Sequence, residues 1–136
     1  MENFNHVFFG LKGRIGRRSF WWASIAVVLL ETGLGFLLAM IFQVPLFDLT
    51  KPELSNDQWL SVYDKLETLG ALVNVIFVWP WIAIIGKRCH DRNKSALWTL
   101  LAYVPIIGNL WALVELGLLR GTHGANRFGN DPLAKP

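Results

Sequence analysis

Three stretches of this chain lack the polar face that a water-soluble helix keeps. Phe20 to Gln43 is interrupted only by Glu31, Leu69 to Gly86 holds no charge, and Leu97 to Leu119 carries only Glu115. A helix that packs on a soluble core buries one stripe and leaves the rest polar. Each stretch here is apolar nearly all round, and each reaches the roughly 17–25 residues that a helix needs to cross about 30 Å of hydrocarbon. The pattern predicts three membrane spans, at 20–43, 69–86 and 97–119, rather than the buried core of a soluble bundle. The first is predicted to stay as an anchor, because it exceeds the apolar length of a signal peptide and no small-residue cleavage site follows it.

The intervening segments complete an all-α prediction: a small polytopic membrane helical bundle. In the polar loop 44–68, Pro45 and Pro52 break helix early. After Ser55, a suitable N-cap, the positions Trp59, Leu60, Val62, Tyr63, Leu66, Leu69 and Leu72 recur at roughly helical spacing. They predict a short amphipathic helix on the outer surface, either separate from span two or running into it. Pro80 predicts a kink in span two, and Pro105, Gly108 and Asn109 predict one in span three. Gly35 and Ala39, four apart, are small enough to let helices approach closely in lipid. The leader 1–19 places Phe4, Phe8 and Phe9 among basic residues, and Trp21 and Trp22 mark the membrane interface. The tail from Gly121 to Pro132 is a run of turn formers.

Composition agrees: 136 residues suit one domain, and 53% hydrophobic content with a mean hydropathy of +0.37 is high for a soluble one. The placement of charge matters more than its net value of +3. Lys12, Arg14, Arg17 and Arg18 precede the first span, and Lys87, Arg88, Arg92 and Lys94 form a basic island in the loop 87–96. The loop 44–68 carries Asp48, Glu53, Asp57, Asp64 and Glu67 against Lys51 and Lys65. The positive-inside rule puts the N-terminus and the island in the cytoplasm and the acidic loop outside. Cations at membrane ends have anionic headgroups as their nearest partner, so no nucleic-acid role is expected. Cys89 is the one cysteine, which excludes an internal disulfide and argues against a structural cysteine-based zinc site.

Ionisable and polar groups inside spans usually have a partner or a task. At 1.5 Å per residue, Glu31 and Asn109 lie about 16 and 18 Å from the cytoplasmic side and could meet near the midplane. They serve either as bonded glue between helices or as the lining of a path in an oligomeric transporter or channel. Glu115 and Asn74 fall near the outer ends of their spans by the same count. In the island, an adjacent His90 and Asp91 occur as ligands in some metal-dependent phosphohydrolases. Such sites need further ligands, and the other histidines are His6 and His123, so neither metal nor cofactor is expected. A thiol nucleophile at Cys89 lacks an evident base and oxyanion hole. A knot in which His90 and Asp91 bond Arg88 and Arg92 and fix the helix ends is the plainer reading.

No catalytic residue is assigned. Arg14, Arg17, Arg18, Arg88, His90, Asp91 and Arg92 are the candidate binding face, for membrane lipid, a second copy or a membrane-protein partner. A lipid-modifying enzyme built on His90 and Asp91 ranks behind both the binding module and the transporter.

Three blocks carry a resemblance. The leader reads Gly13-Arg14-Ile15-Gly16-Arg17-Arg18-Ser19-Phe20-Trp21, and the island reads Arg88-Cys89-His90-Asp91 followed by Ser95 and Trp98. The ending runs from Gly121-Thr122-His123-Gly124 through Asn126-Arg127-Phe128-Gly129 to Asp131-Pro132. Together, in this order and over nearly the whole chain, they resemble the bacterial inner-membrane proteins grouped as domain of unknown function 805. The resemblance implies a multi-span inner-membrane protein and transfers no catalytic residue. The chain departs from the usual pattern in its long acidic loop and at Asn93-Lys94, where a glycine is common.

The blocks raise a question of topology. Three full spans leave Arg120, Arg127 and Lys135 outside, with the tail unable to touch the island. A re-entrant hairpin broken at Pro105 to Asn109 would bring all three blocks to one face, but its limbs are too short to span and its backbone needs cover. The single kinked span is the expectation.

Overall fold

In a computed structural model, described for residues 4–44, 55–102 and 104–134, regular structure is helical apart from one isolated bridge between Asn126 and Gly129. Pro45, Asp48, Lys51, Pro52, Glu53 and Lys135, on which parts of the loop and topology readings rest, lie outside the described residues. Helix α1 is Phe4–Phe8, α2 Arg17–Ile41 and α3 Asn56–Asp91. A 3-10 turn, Ala96–Trp98, leads into α4, Thr99–Ala102, and α5, Ile107–Trp111, passes into a π-helical segment, Ala112–Leu118. Helices α2 and α3 are long and apolar enough to cross a membrane, and Ile107–Leu118 is a shorter apolar helix. The all-helical membrane fold read from the sequence is the fold observed.

The chain divides into two compact units, one of Met1–Val27 with Trp79–Pro136 and the other of Val28–Val78. In the second, Ala39, Val44, Val62 and Leu69 form a buried cluster flanked by Leu38 and Leu66. Ala39 is thus a packing residue, whereas a Cβ on Gly35 would meet nothing within 4 Å. Helix α2 ends in a Schellman turn: Val44 N–H donates to Ala39 O at 2.8 Å, Gln43 N–H donates to Met40 O at 3.2 Å, and Gln43 takes φ 53°. The expected amphipathic helix is the first part of α3 itself. Ser55 and Gln58 form its capping box, the Ser55 N–H donating to Gln58 Oε1 at 2.9 Å and the Gln58 N–H to Ser55 Oγ at 3.4 Å. Helix α3 then runs unbroken through Pro80 for 36 residues.

The first unit is organised on the last turn of α3. That helix also closes in a Schellman turn, with Lys94 N–H to Cys89 O at 2.8 Å, Asn93 N–H to His90 O at 2.9 Å and Asn93 at φ 56°. Asparagine tolerates the left-handed region better than most side chains. This accounts for the departure at Asn93, because the position needs the conformation that glycine supplies most readily.

The third apolar stretch breaks where expected but folds back instead of running on. The rings of Trp98 and Trp111 stack at 5.8 Å. Lys94 Nζ lies 3.0 Å from Glu115 Oε1, and both pairs are centred on Val104 and Pro105. Further out, Thr122 N–H donates to Asp91 O at 2.8 Å. These contacts define an antiparallel hairpin whose two ends meet the island. The expectation that the tail cannot touch the island is therefore corrected, and the single kinked helix gives way to two short limbs. Glu115, placed by residue count near an outer headgroup layer, instead pairs with Arg92 at 3.1 Å and Lys94 at 3.0 Å. Pro105, which lacks an N–H, and Ile106, at φ 63°, make the reversal that residue counting along a straight helix misses.

Candidate functional site

The three signature blocks converge on Asp91. Its Oδ1 accepts from Arg14 Nε at 3.2 Å and Nη2 at 3.0 Å, and its Oδ2 accepts from Arg88 Nη1. Arg88, with 0% exposure, also donates to the carbonyls of Leu116 at 2.7 Å and Leu119 at 2.6 Å. Arg14 donates to Thr122 O and Gly124 O, both at 2.7 Å, and to Gly129 O at 3.2 Å. Two buried guanidiniums, one carboxylate and a set of tail carbonyls thus form one ion cluster. Burial pushes the Asp91 carboxyl up and the Arg88 guanidinium down, and each opposes the shift of the other. Gly121 is required at its position, because a Cβ there would fall on the Asp91 carboxylate.

The expected knot is present with different members. Arg14 takes the place foreseen for Arg92, which turns to Glu115 and to the carbonyl of Arg120. His90 stands beside the cluster: its Nδ1 lies 3.0 Å from Gly13 O and its ring stacks on Phe128 at 4.0 Å and 9°. Asn126 Nδ2 donates to His90 O at 2.9 Å, and Arg127 to Asn93 O at 3.1 Å, which fastens the tail over the island. Lys87, also at 0% exposure, donates to the carbonyls of His6 and Val7. Those are end carbonyls of the five-residue α1, and a cation there satisfies groups that a helix leaves unpaired.

The remaining candidates sit outside the cluster. Arg17 and Arg18 are exposed, and Arg17 Nη1 donates to Leu118 O at 2.9 Å. A small cleft between Arg17 and the tail is lined by Gly16, Arg17, Asp91, Arg120, Gly121, Thr122 and Asp131 among others. Asn109 is exposed on the hairpin, and Glu31 is half-buried in the other unit. Asn74 Nδ2 donates within its own helix to Gly70 O at 2.8 Å. Among the described residues no group of three or more His, Cys, Asp and Glu side chains is placed to hold a metal ion. The buried Cys89 thiol is pushed up to about 12, chiefly by burial, so it is a poor nucleophile at neutral pH. Sequence reasoning missed Lys87, Arg14 as the second guanidinium, and the tail carbonyls. The signal for Arg14 was its place in the same block set as Asp91.

The family description "Protein of unknown function (DUF805)" matches residues 8–130, which takes in the first two blocks and the third as far as Asn130. The chain belongs to this family. Inner membrane protein YhaH of Escherichia coli K12 is 29% identical over 127 residues, covering 93% of this chain and 90% of its own. The uncharacterized protein YiiR of the same strain is 31% identical over 147 residues, covering 90% and 86%. Inner membrane protein YhaI is 41% identical over 68 residues, covering 50% and 57%. No solved structure matches. With its long apolar helices, this DUF805 chain is a membrane protein similar to known inner-membrane proteins.

His90 makes the stability of the DUF805 cluster depend on pH. Burial, with Arg127 and Lys87 nearby, lowers its pKa below the usual 6.5, against the opposing bond to Gly13 O. The unfolded chain therefore takes up this proton first, so the contribution of His90 is complete above about pH 6.5 and is lost as pH falls below it. Between pH 7.5 and 5 the wild type is expected to lose more Tm in detergent than His90→Asn. Comparing the two cancels the contribution of Asp91, whose raised pKa acts in the opposite sense.

Proposed function

We propose that the chain is a non-enzymatic binding module of the inner membrane, its N-terminus, island and tail forming one basic head on the cytoplasmic face. The head binds anionic lipid headgroups. One contrast supports this reading: the buried charges are consumed internally, while Arg17, Arg18 and Arg120 stay exposed, Arg17 and Arg120 at one cleft. In this reading Arg14, Arg88 and Asp91 hold the head together, His90 and Arg92 fasten the tail and hairpin to it, and the outer arginines meet the ligand. Cation density on the cytoplasmic side also agrees with the positive-inside rule, since Arg120 and Arg127 join the leader and island.

A surface cation contributes about 1 kcal/mol to binding an anionic membrane, so removing two should weaken lipid retention roughly thirty-fold. Native mass spectrometry from nanodiscs containing phosphatidylglycerol, wild type beside Arg18→Ala/Arg120→Ala, reads this directly. Loss of the retained anionic lipid in the variant is expected. Equal retention in both would end the proposal, and retention of a protein instead of lipid, lost in the variant, would replace headgroups by a protein partner.

A further inference from the structure

We infer that the hairpin Ala96–Leu118 enters and leaves the membrane on one face, its apolar tip seated among the acyl chains of the leaflet next to the basic head. The inference needs only membrane residence and stands whether or not the outer arginines bind lipid.

Four observations carry it. First, the far end of the hairpin is tied back to the end of α3 and the turn that closes it, by Lys94 with Glu115 and by Thr122 with Asp91, so the second limb ends where the first began. Second, none of the described residues covers the tip: Ile106 is 74% exposed and Ile107 66%, with Leu100 and Leu110 similarly bare. Third, the base carries residues suited to the headgroup layer. Lys94 Nζ lies 4.6 Å from the Trp98 ring centre and 5.9 Å from that of Trp111, with Arg92 and Arg120 alongside. Between Leu97 and Val114 there is no charge at all. Fourth, the longer limb, Ile107–Leu118, is about 18 Å at 1.5 Å per residue. That reaches roughly halfway through a core of ~30 Å.

A non-helical reversal inside hydrocarbon needs its backbone donors satisfied. At this tip Val104 N–H donates to Leu101 O at 3.0 Å, Ile107 to Pro105 O at 2.7 Å and Gly108 to Val104 O at 2.8 Å, while Pro105 has no N–H to satisfy. The occupant that fits an uncharged, uncovered tip above a ring of cations and tryptophans is one lipid leaflet.

Single cysteines at Lys12, Ala125 and Ile106 in a Cys89→Ala background test this with a membrane-impermeant maleimide, using sealed vesicles of both orientations. Each variant is first confirmed as a monodisperse species in detergent. Lys12→Cys and Ala125→Cys are expected to label from the same face, and Ile106→Cys from neither face until detergent is added. Labelling of Ala125→Cys from the face opposite Lys12→Cys would restore a crossing span and overturn the inference. Labelling of Ile106→Cys in intact vesicles would overturn it too, by placing the tip in water.

Discussion

Replacing Asp91 by alanine should unfold the head of this protein. The substitution leaves Arg14 and Arg88 facing each other's surroundings with no carboxylate, and Arg88 is wholly enclosed. Breaking a buried ion pair by removing one partner costs about 3–5 kcal/mol, a large part of the ~5–15 kcal/mol that holds an ordinary domain together. The carbonyls that still accept, those of the tail from Arg14 and those of Leu116 and Leu119 from Arg88, soften the loss without removing it, since they carry no full charge. The expected result is a protein that inserts, because α2 and the apolar part of α3 are untouched, but whose tail is cut rapidly by protease. Its detergent Tm should fall by many degrees. A tail as protected in Asp91→Ala as in the wild type would show that the tail carbonyls suffice and that the ion pair is not what holds the head.

The second large effect is expected at Gly108. A Cβ there would fall on the carbonyl oxygen of Leu101, with the Ala102 carbonyl carbon and oxygen each 3.1 Å away. All three neighbours are backbone, so no rotamer change can relieve the contact, and overpacking of this kind typically costs 1–3 kcal/mol or more. Gly108→Ala should force α4 and α5 apart and unstack Trp98 from Trp111. Loss of the near-ultraviolet circular dichroism of that ring pair, with far-ultraviolet helix content retained, is the outcome to look for. A preserved aromatic signal with an unchanged Tm would mean that the limbs do not cross at Gly108.

The long helices were legible in the sequence because length and uniform hydrophobicity are local properties. Ser55 was legible as a cap for the same reason, since the capping box lies within four residues. The hairpin was harder. Pro105, Gly108 and Asn109 announce a break, but whether a broken helix continues or returns depends on what its far end meets. That far end meets Asp91 through Thr122 and Arg88 through Leu116 and Leu119, and most of the accepting groups are main-chain carbonyls. Carbonyls are present at every residue and leave no mark in a sequence. The ion cluster was half legible for a related reason. His90 and Asp91 stand out beside Arg88, yet the partner at Arg14 lies 77 positions away, and only the shared resemblance blocks tied the two together. Arg92 was misassigned because its real partner, Glu115, comes within reach only once the hairpin has closed.

The reach of that ion cluster along the chain also bears on how the protein is made. Arg14 is synthesised early, Asp91 much later, and the carbonyls of Thr122, Gly124 and Gly129 that complete its shell later still. Both long helices are finished, Asp91 included, before the main-chain acceptors of Arg14 and Arg88 at Leu116 to Gly129 exist. A chain that stops before Leu116 therefore leaves Arg14 and Arg88 with Asp91 but without the carbonyls that complete their shell. Hydrophobicity alone does not distinguish such a fragment from a chain that reaches Gly129; the closure of the cluster does.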